Sequence, residues 1–433
     1  MSGRGLLVDL SPLRESPPFR SIVIARTIAV FGIGMLIVAV PVQIFDLTGS
    51  TAHVGFASTS TGIATLFGLL AGGVLADRFD RRRLIVWTRA ICGLTFVGLA
   101  LNAASADPSV WAIYVLGAID GAIGAVSITA LLAVTPALIP KNSFAAAGAI
   151  NALTVQLGMM ASPALGGVLI ASAGVTWNYW AAAAGTLLTV PLLMTLPALK
   201  PDEAETESPW ASLAGGFRFA LGHTTVRSVL IVGTIALLGG GVGVLIPAFV
   251  EQRFGGDPRA AGLLYSATAV GAALGSVGSG WIKGMRRKGY TLTVALTISF
   301  IALAGVGFAP AVWIALVLLA VAGAFSATQE IVAYTLIQTN TPDRLLGRTN
   351  SLWSAQNVFG LAVGSAVAGI IGSFFVASTA LIVYGAIMVT LSLLALLTLR
   401  SLRDYVDHTV HAVEVDTTTQ FVGAEPDESE ELR

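Results

Sequence analysis

Only 11% of this 433-residue chain is Asp, Glu, Lys or Arg, against 55% hydrophobic residues and a mean hydropathy of +0.82. The residues able to do chemistry are therefore the ionisable ones inside apolar stretches, where a charge is costly and rarely idle. Three stand out: Arg26, Asp120 and Glu330. A carboxylate in a low-dielectric bundle can gain or lose a proton as its surroundings change, and a nearby guanidinium favours its charged form. Asp120 lies about 15 Å of helix rise into its run and Arg26 about 9 Å into another, so the two can form a proton-coupling pair. The alternative is a permanent ion pair that ties two helices. Glu330, beside Gln329, is a third proton-coupling candidate nearer a helix end. Gln43, Asn151, Gln156, Gln356 and Asn357 can either tie helices or line a substrate path. Asp46, Glu251 and His53 sit at run ends within reach of water, and Trp177 and Trp353 suit interfacial anchoring.

Other chemistries lack their residues. Cys92 is the only cysteine, which excludes an intrachain disulfide and a thiolate metal cluster. No Gly-x-x-x-x-Gly-Lys-Ser/Thr loop occurs to cradle a nucleotide, and His408 and His411 are too sparse for a metal site. With no nucleophile set beside a base and no sizeable soluble domain, the sequence points to a non-enzyme without cofactor or metal.

The elements that must position these residues are long apolar runs at 21–45, 53–76, 84–104, 110–138, 144–172, 176–197, 226–250, 260–282, 290–309, 311–337, 347–373 and 377–399. Each is long enough to cross the roughly 30 Å of hydrocarbon in a bilayer. Twelve transmembrane helices result, an all-α membrane protein. Most of the 48 glycines fall inside these runs, where they let membrane helices approach closely. If the N-terminus is cytoplasmic, almost all of the 24 Lys and Arg residues fall on the inner side. The exceptions are Arg253 and Arg259 outside, Arg26 within the first run, and Arg433 at the chain end. The expectation is a multi-pass protein of the inner (plasma) membrane, with both termini cytoplasmic and a monomer as the working unit. The polar N-terminal segment lacks the order of a cleaved signal peptide.

Six runs precede and six follow a break, giving a cytoplasmic N-terminus at 1–20, a helical bundle at 21–197, a linker at 198–225, a second bundle at 226–400 and a tail at 401–433. The linker opens with the acidic KPDEAETESPW and continues into an amphipathic stretch with Leu213, Phe217 and Leu221 at helical spacing. The acidic tail is expected to be disordered. Gly148 and Asn151 recur as Gly347 and Asn350, each after a Thr-Pro, as duplicated halves would require.

The densest charge is GGVLADRFDRRR at residues 72–83, between the second and third runs. An arginine cluster there can serve topology alone. The interleaved Asp77 and Asp80 argue against nucleic-acid binding. Gly72 and Gly73 permit close helix contact, and Asp77 ends a helix where its carboxylate can accept from a neighbouring helix N-terminus or pair with Arg81. Such a contact can be made in one conformation and broken in another.

This stretch resembles the loop motif Gly-x-Leu-Ala-Asp-Arg-x-x-Arg-Arg of the major facilitator superfamily, with Gly73, Leu75, Ala76, Asp77, Arg78, Arg81 and Arg82 in register. The resemblance implies two pseudo-symmetric six-helix bundles, with Gly73, Asp77, Arg78 and Arg81 as a conformational latch. It also implies a central cavity lined by helices one, four, seven and ten. The second-half copy, GSGWIKGMRRKGY, has Gly284 where the Asp would stand. GMMASPALGG is similar to the superfamily's antiporter motif, with Gly158, Pro163, Gly166 and Gly167 in place and Ser162 replacing a Gly. The stretches VAVPVQIFDLTGST, IYVLGAIDG, TALLAVTPAL, GVTWNYWAAAAGT and LLGRTNSLWSAQNV look like the enterobactin exporter branch. That likeness implies proton-coupled export of a catecholate siderophore. Efflux of drugs such as tetracyclines or macrolides by the same mechanism is the alternative. Gly117 stands where drug antiporters of the superfamily often carry an arginine, so their proton relay does not transfer.

Overall fold

The computed structural model describes residues 9–198 and 209–405. The acidic opening of the linker and the tail beyond residue 405 lie outside the described residues. The long helices are α1 (Pro17–Thr48), α2 (Thr51–Arg78), α3 (Arg81–Ala104), α4 (Val110–Leu138), α5 (Phe144–Ala173) and α6 (Val175–Met194). They are followed by α7 (Thr224–Phe254), α8 (Pro258–Val277), α9 (Lys288–Val306), α10 (Val312–Asn340), α11 (Asp343–Phe374) and α12 (Ala377–Thr398). Among the described residues there is no β-strand, and eleven helices are long and apolar enough to cross a membrane. The sequence gives twelve runs of equal standing; α6 forms as a 20-residue helix but is the less apolar one, because it opens with Thr176, Trp177, Asn178, Tyr179 and Trp180 and contains Pro191.

Local chemistry sets the helix boundaries. Ser16 caps α1 by accepting from Phe19 N, and its hydroxyl donates to Leu138 O at 3.0 Å, which pins the start of α1 to the end of α4. Asp80 caps α3 by accepting from Arg83 N at 3.1 Å. The charged stretch is therefore two helix ends joined by Phe79 and Asp80 rather than a loop. Helix α7 is broken by a 3-10 segment at Gly240–Leu245, where glycines let its backbone press against Gly364 of α11. The linker forms a helix at Pro209–Gly222 that packs on α11, with Phe217 and Leu221 exposed.

Packing repeats at an interval of six helices. In the first half α2 packs on α4, α3 on α4 and α6, and α1 on α5 and α6; in the second, α8 packs on α10, α9 on α10 and α12, and α7 on α11 and α12. Between the halves the main contacts are α2 with α11 and α5 with α8. Large apolar side chains such as Trp111, Leu188 and Phe374 stay exposed, the surface a lipid-solvated protein requires.

The two ends of the molecule differ. One end carries Arg78, Arg82, Lys141, Arg287 and Arg344 and is called the basic end here. The close approaches between the halves lie toward the opposite end. There, a Cβ added at Gly55 of α2 would sit 2.9 Å from Gly369 Cα of α11, and one at Gly167 of α5 would sit 3.0 Å from Gly262 Cα of α8. Only glycine fits either contact. Thr51 and Thr59 donate to the carbonyls of Gly369 (3.3 Å) and Ala362 (3.0 Å), Gln156 donates to Ala269 O (3.1 Å), and Ala164 N donates to Ser266 Oγ (3.0 Å). Toward the basic end, a side chain added at Gly73, Gly148 or Gly347 would meet nothing within 4 Å.

Candidate functional site

Helices α1, α3 and α4 bring charge into the apolar interior. Asp120 of α4 is part-buried and turned toward Cys92 and Thr95 of α3, with Arg89 of the same helix as its nearest cation. Arg89, Cys92 and Thr95 share a face because they lie three residues apart on α3, and all three are buried. Thr95 Oγ1 donates to Cys92 O at 2.7 Å. Arg89 is 6% exposed, and its Nε is buried without a hydrogen-bond partner. The sequence pairs Asp120 with Arg26. The structure instead sets Arg26, part-exposed on α1, close enough to repel Arg89, and leaves Arg89 as the cation that acts on Asp120. The cause is the rotation of α4. Gly117 and Gly121 press against Thr61 of α2, which turns Asp120 toward α3.

Arg89 is the residue that sequence reasoning missed. Counted among the basic residues at a helix end, it lies about 12 Å of rise into α3, and the signal was its three-residue spacing to Cys92 and Thr95. Beneath the charges, toward the basic end, Ile22, Ile85, Ala130, Val134, Leu193 and Leu196 form an apolar cluster that separates them from that end.

The other candidates are dispersed. Glu330 is exposed on α10 in the second half, beside buried Gln329. Gln43 is 4% exposed and accepts from Tyr179 OH at 2.8 Å, a tie between α1 and α6. Gln356 donates to Leu230 O (2.6 Å) and Thr234 Oγ1 (2.7 Å) of α7, and Asn357 to Trp353 O (2.9 Å) in its own helix. Asn151 has a buried Oδ1 without a partner. Trp353 packs against Gly233 of α7 rather than anchoring at an interface, because it lies about 15 Å into α11, whereas Trp177 is exposed at a helix end. His53, though exposed, has Nδ1 2.5 Å from Tyr114 OH.

On α5 the Gly/Pro stretch divides into two faces. Gly158, Ser162 and Gly166 recur every four residues and lie against Val30, Gly34 and Met35 of α1. Pro163 and Gly167 lie against α8, where Pro163 O and Gly167 Cα meet Gly262. Ser162, fully buried, donates to Gly158 O at 2.6 Å, so the residue that replaces a glycine hides its hydroxyl in its own helix. At the basic end Asp77 and Arg78 are exposed, and Arg81 Nε donates to Ala76 O at 3.3 Å.

A bundle of long apolar helices with sparse buried charge and two internally repeated halves is the architecture of a multi-pass membrane transporter. Solved structures agree in fold: a nucleoside transporter, NupG, superposes with a TM-score of 0.70 at 14% identity over 88% of this chain and 98% of its own. A bacterial homologue of the human lysosomal transporter Spinster, captured inward-facing and unoccupied, gives 0.66 at 16% identity over 89% and 98%. The chain belongs to the transmembrane secretion effector family of the major facilitator superfamily, whose profile it matches over residues 8–417. Among curated relatives, the enterobactin exporter EntS of Citrobacter koseri is 43% identical over 91% of this chain and 95% of its own length. Those of Salmonella typhimurium and Escherichia coli are 43% and 42% identical over the same shares.

Proposed function

We propose that this protein is a proton-coupled secondary exporter that moves a catecholate siderophore of the enterobactin type out of the cytoplasm by alternating access between two six-helix bundles. The substrate reading is carried by the 43% identity to enterobactin exporters, which spans nearly the whole of both chains. Alternating access is supported by the unequal ends, with glycine-mediated contacts between the halves on one side and open glycines on the other. With the basic end in the cytoplasm, as the positive-inside rule requires, this is the inward-facing state.

Asp77, Arg78 and Arg81, with Gly73 open beside them, form a latch that engages α11 when the basic end closes. Asp120 carries the proton, and Arg89 is its counter-charge. The decisive measurement is catecholate siderophore in medium and cytoplasm after deletion of the gene in its host. Secretion should fall and the cytoplasmic pool rise; unchanged secretion with altered antibiotic susceptibility would replace the siderophore with a drug.

A further inference from the structure

We propose that Arg26 and Arg89 form a binding site for an oxyanion of the transported cargo, so that this exporter takes its substrate in an acidic, deprotonated form. Two guanidiniums meet one carboxylate among α1, α3 and α4, which leaves an excess positive charge within the apolar interior. Among the described residues neither Arg26, Arg89 nor Asp120 has an oppositely charged atom within 4.0 Å. Buried cations are stable only when paired or hydrogen-bonded, and an orphaned donor costs its full desolvation. Arg89 is more than nine-tenths buried, and its Nε has no acceptor.

The missing partner must therefore arrive from outside the chain. Arg26 and Asp120 are part-exposed while Arg89 is sealed, so the site opens on the Arg26 side. The apolar cluster below lowers the polarity around the guanidiniums, which strengthens any ion pair formed there. A carboxylate or a deprotonated catechol supplies the oxygen that a guanidinium fork binds. A phospholipid headgroup offers the same chemistry, and the test separates the two sources.

The inference rests on the export reading only for the statement that the bound anion is cargo. The test uses purified full-length protein in phosphatidylcholine nanodiscs, with 3,4-dihydroxybenzoate and its uncharged methyl ester as probes. The wild type should bind the acid about tenfold or more tighter than the ester, and Arg89→Gln and Arg26→Gln should each remove that preference, with ester binding still measurable. Loss of ester binding in Arg89→Gln would report misfolding, and Arg26→Gln then decides alone. Equal affinities in the wild type, no binding of the acid, or a preference that survives both substitutions would overturn the site. Competition by phosphatidylglycerol in the discs, abolished by the same substitutions, would assign the oxyanion to lipid and overturn the cargo assignment. Normal siderophore secretion after gene deletion would sink the proposed substrate while leaving a measured acid preference intact.

Discussion

At the scale of single residues, the first half of the chain gathers its interior charge in one place, where Arg26, Arg89 and Asp120 meet. Asp120 is the carboxylate with a cation acting on it from a neighbouring helix, whereas Glu330 is exposed on α10. Replacing Asp120 by Asn keeps its size but removes the group that can gain and lose a proton. In inverted vesicles, Asp120→Asn should abolish substrate-driven proton release with expression retained; normal coupling would remove Asp120 from the mechanism. That Asp120 lies deep in the bundle was legible in the sequence, because it falls inside a long apolar run. Its partner was not, since Arg26 and Arg89 lie at similar depths on two helices and only the rotation of α4 chooses between them.

At the scale of helices, most of the fold could be read from composition alone. Apolar runs long enough for a bilayer gave the helices with boundaries close to those observed, apart from the break in α7, which three consecutive glycines at Gly239, Gly240 and Gly241 foreshadowed. Which glycines join the halves was not readable, because a small residue looks the same whether it faces its own half or the other. The contact of α2 with α11 gives a direct test of movement. A Cβ on Gly62 would lie 2.8 Å from that of Ala362, so a small separation brings cysteines there to the 3.5–4.5 Å of a disulfide. The pair Gly62→Cys and Ala362→Cys, with Cys92→Ser, should cross-link under mild oxidation and stop transport until reduced. Undiminished transport by the cross-linked protein would show that the two helices do not part.

At the scale of the molecule, the packing repeats at an interval of six helices, the same interval that separates Gly148 and Asn151 from Gly347 and Asn350. The two halves are unequal in charge, however: the cluster of Arg26, Arg89 and Asp120 belongs to the first alone. A cargo held by the surplus guanidinium crosses as an anion, and a cell keeps its interior electrically negative. Each negative charge leaving such a cell gains about 2.3 kcal/mol per 100 mV. Proton entry moves charge the same way, so in proteoliposomes the charge carried per exported cargo should exceed the protons taken up, and equal numbers would mean the cargo travels uncharged. The asymmetry of one arginine thus adds the cargo's own charge to the work the membrane's voltage does.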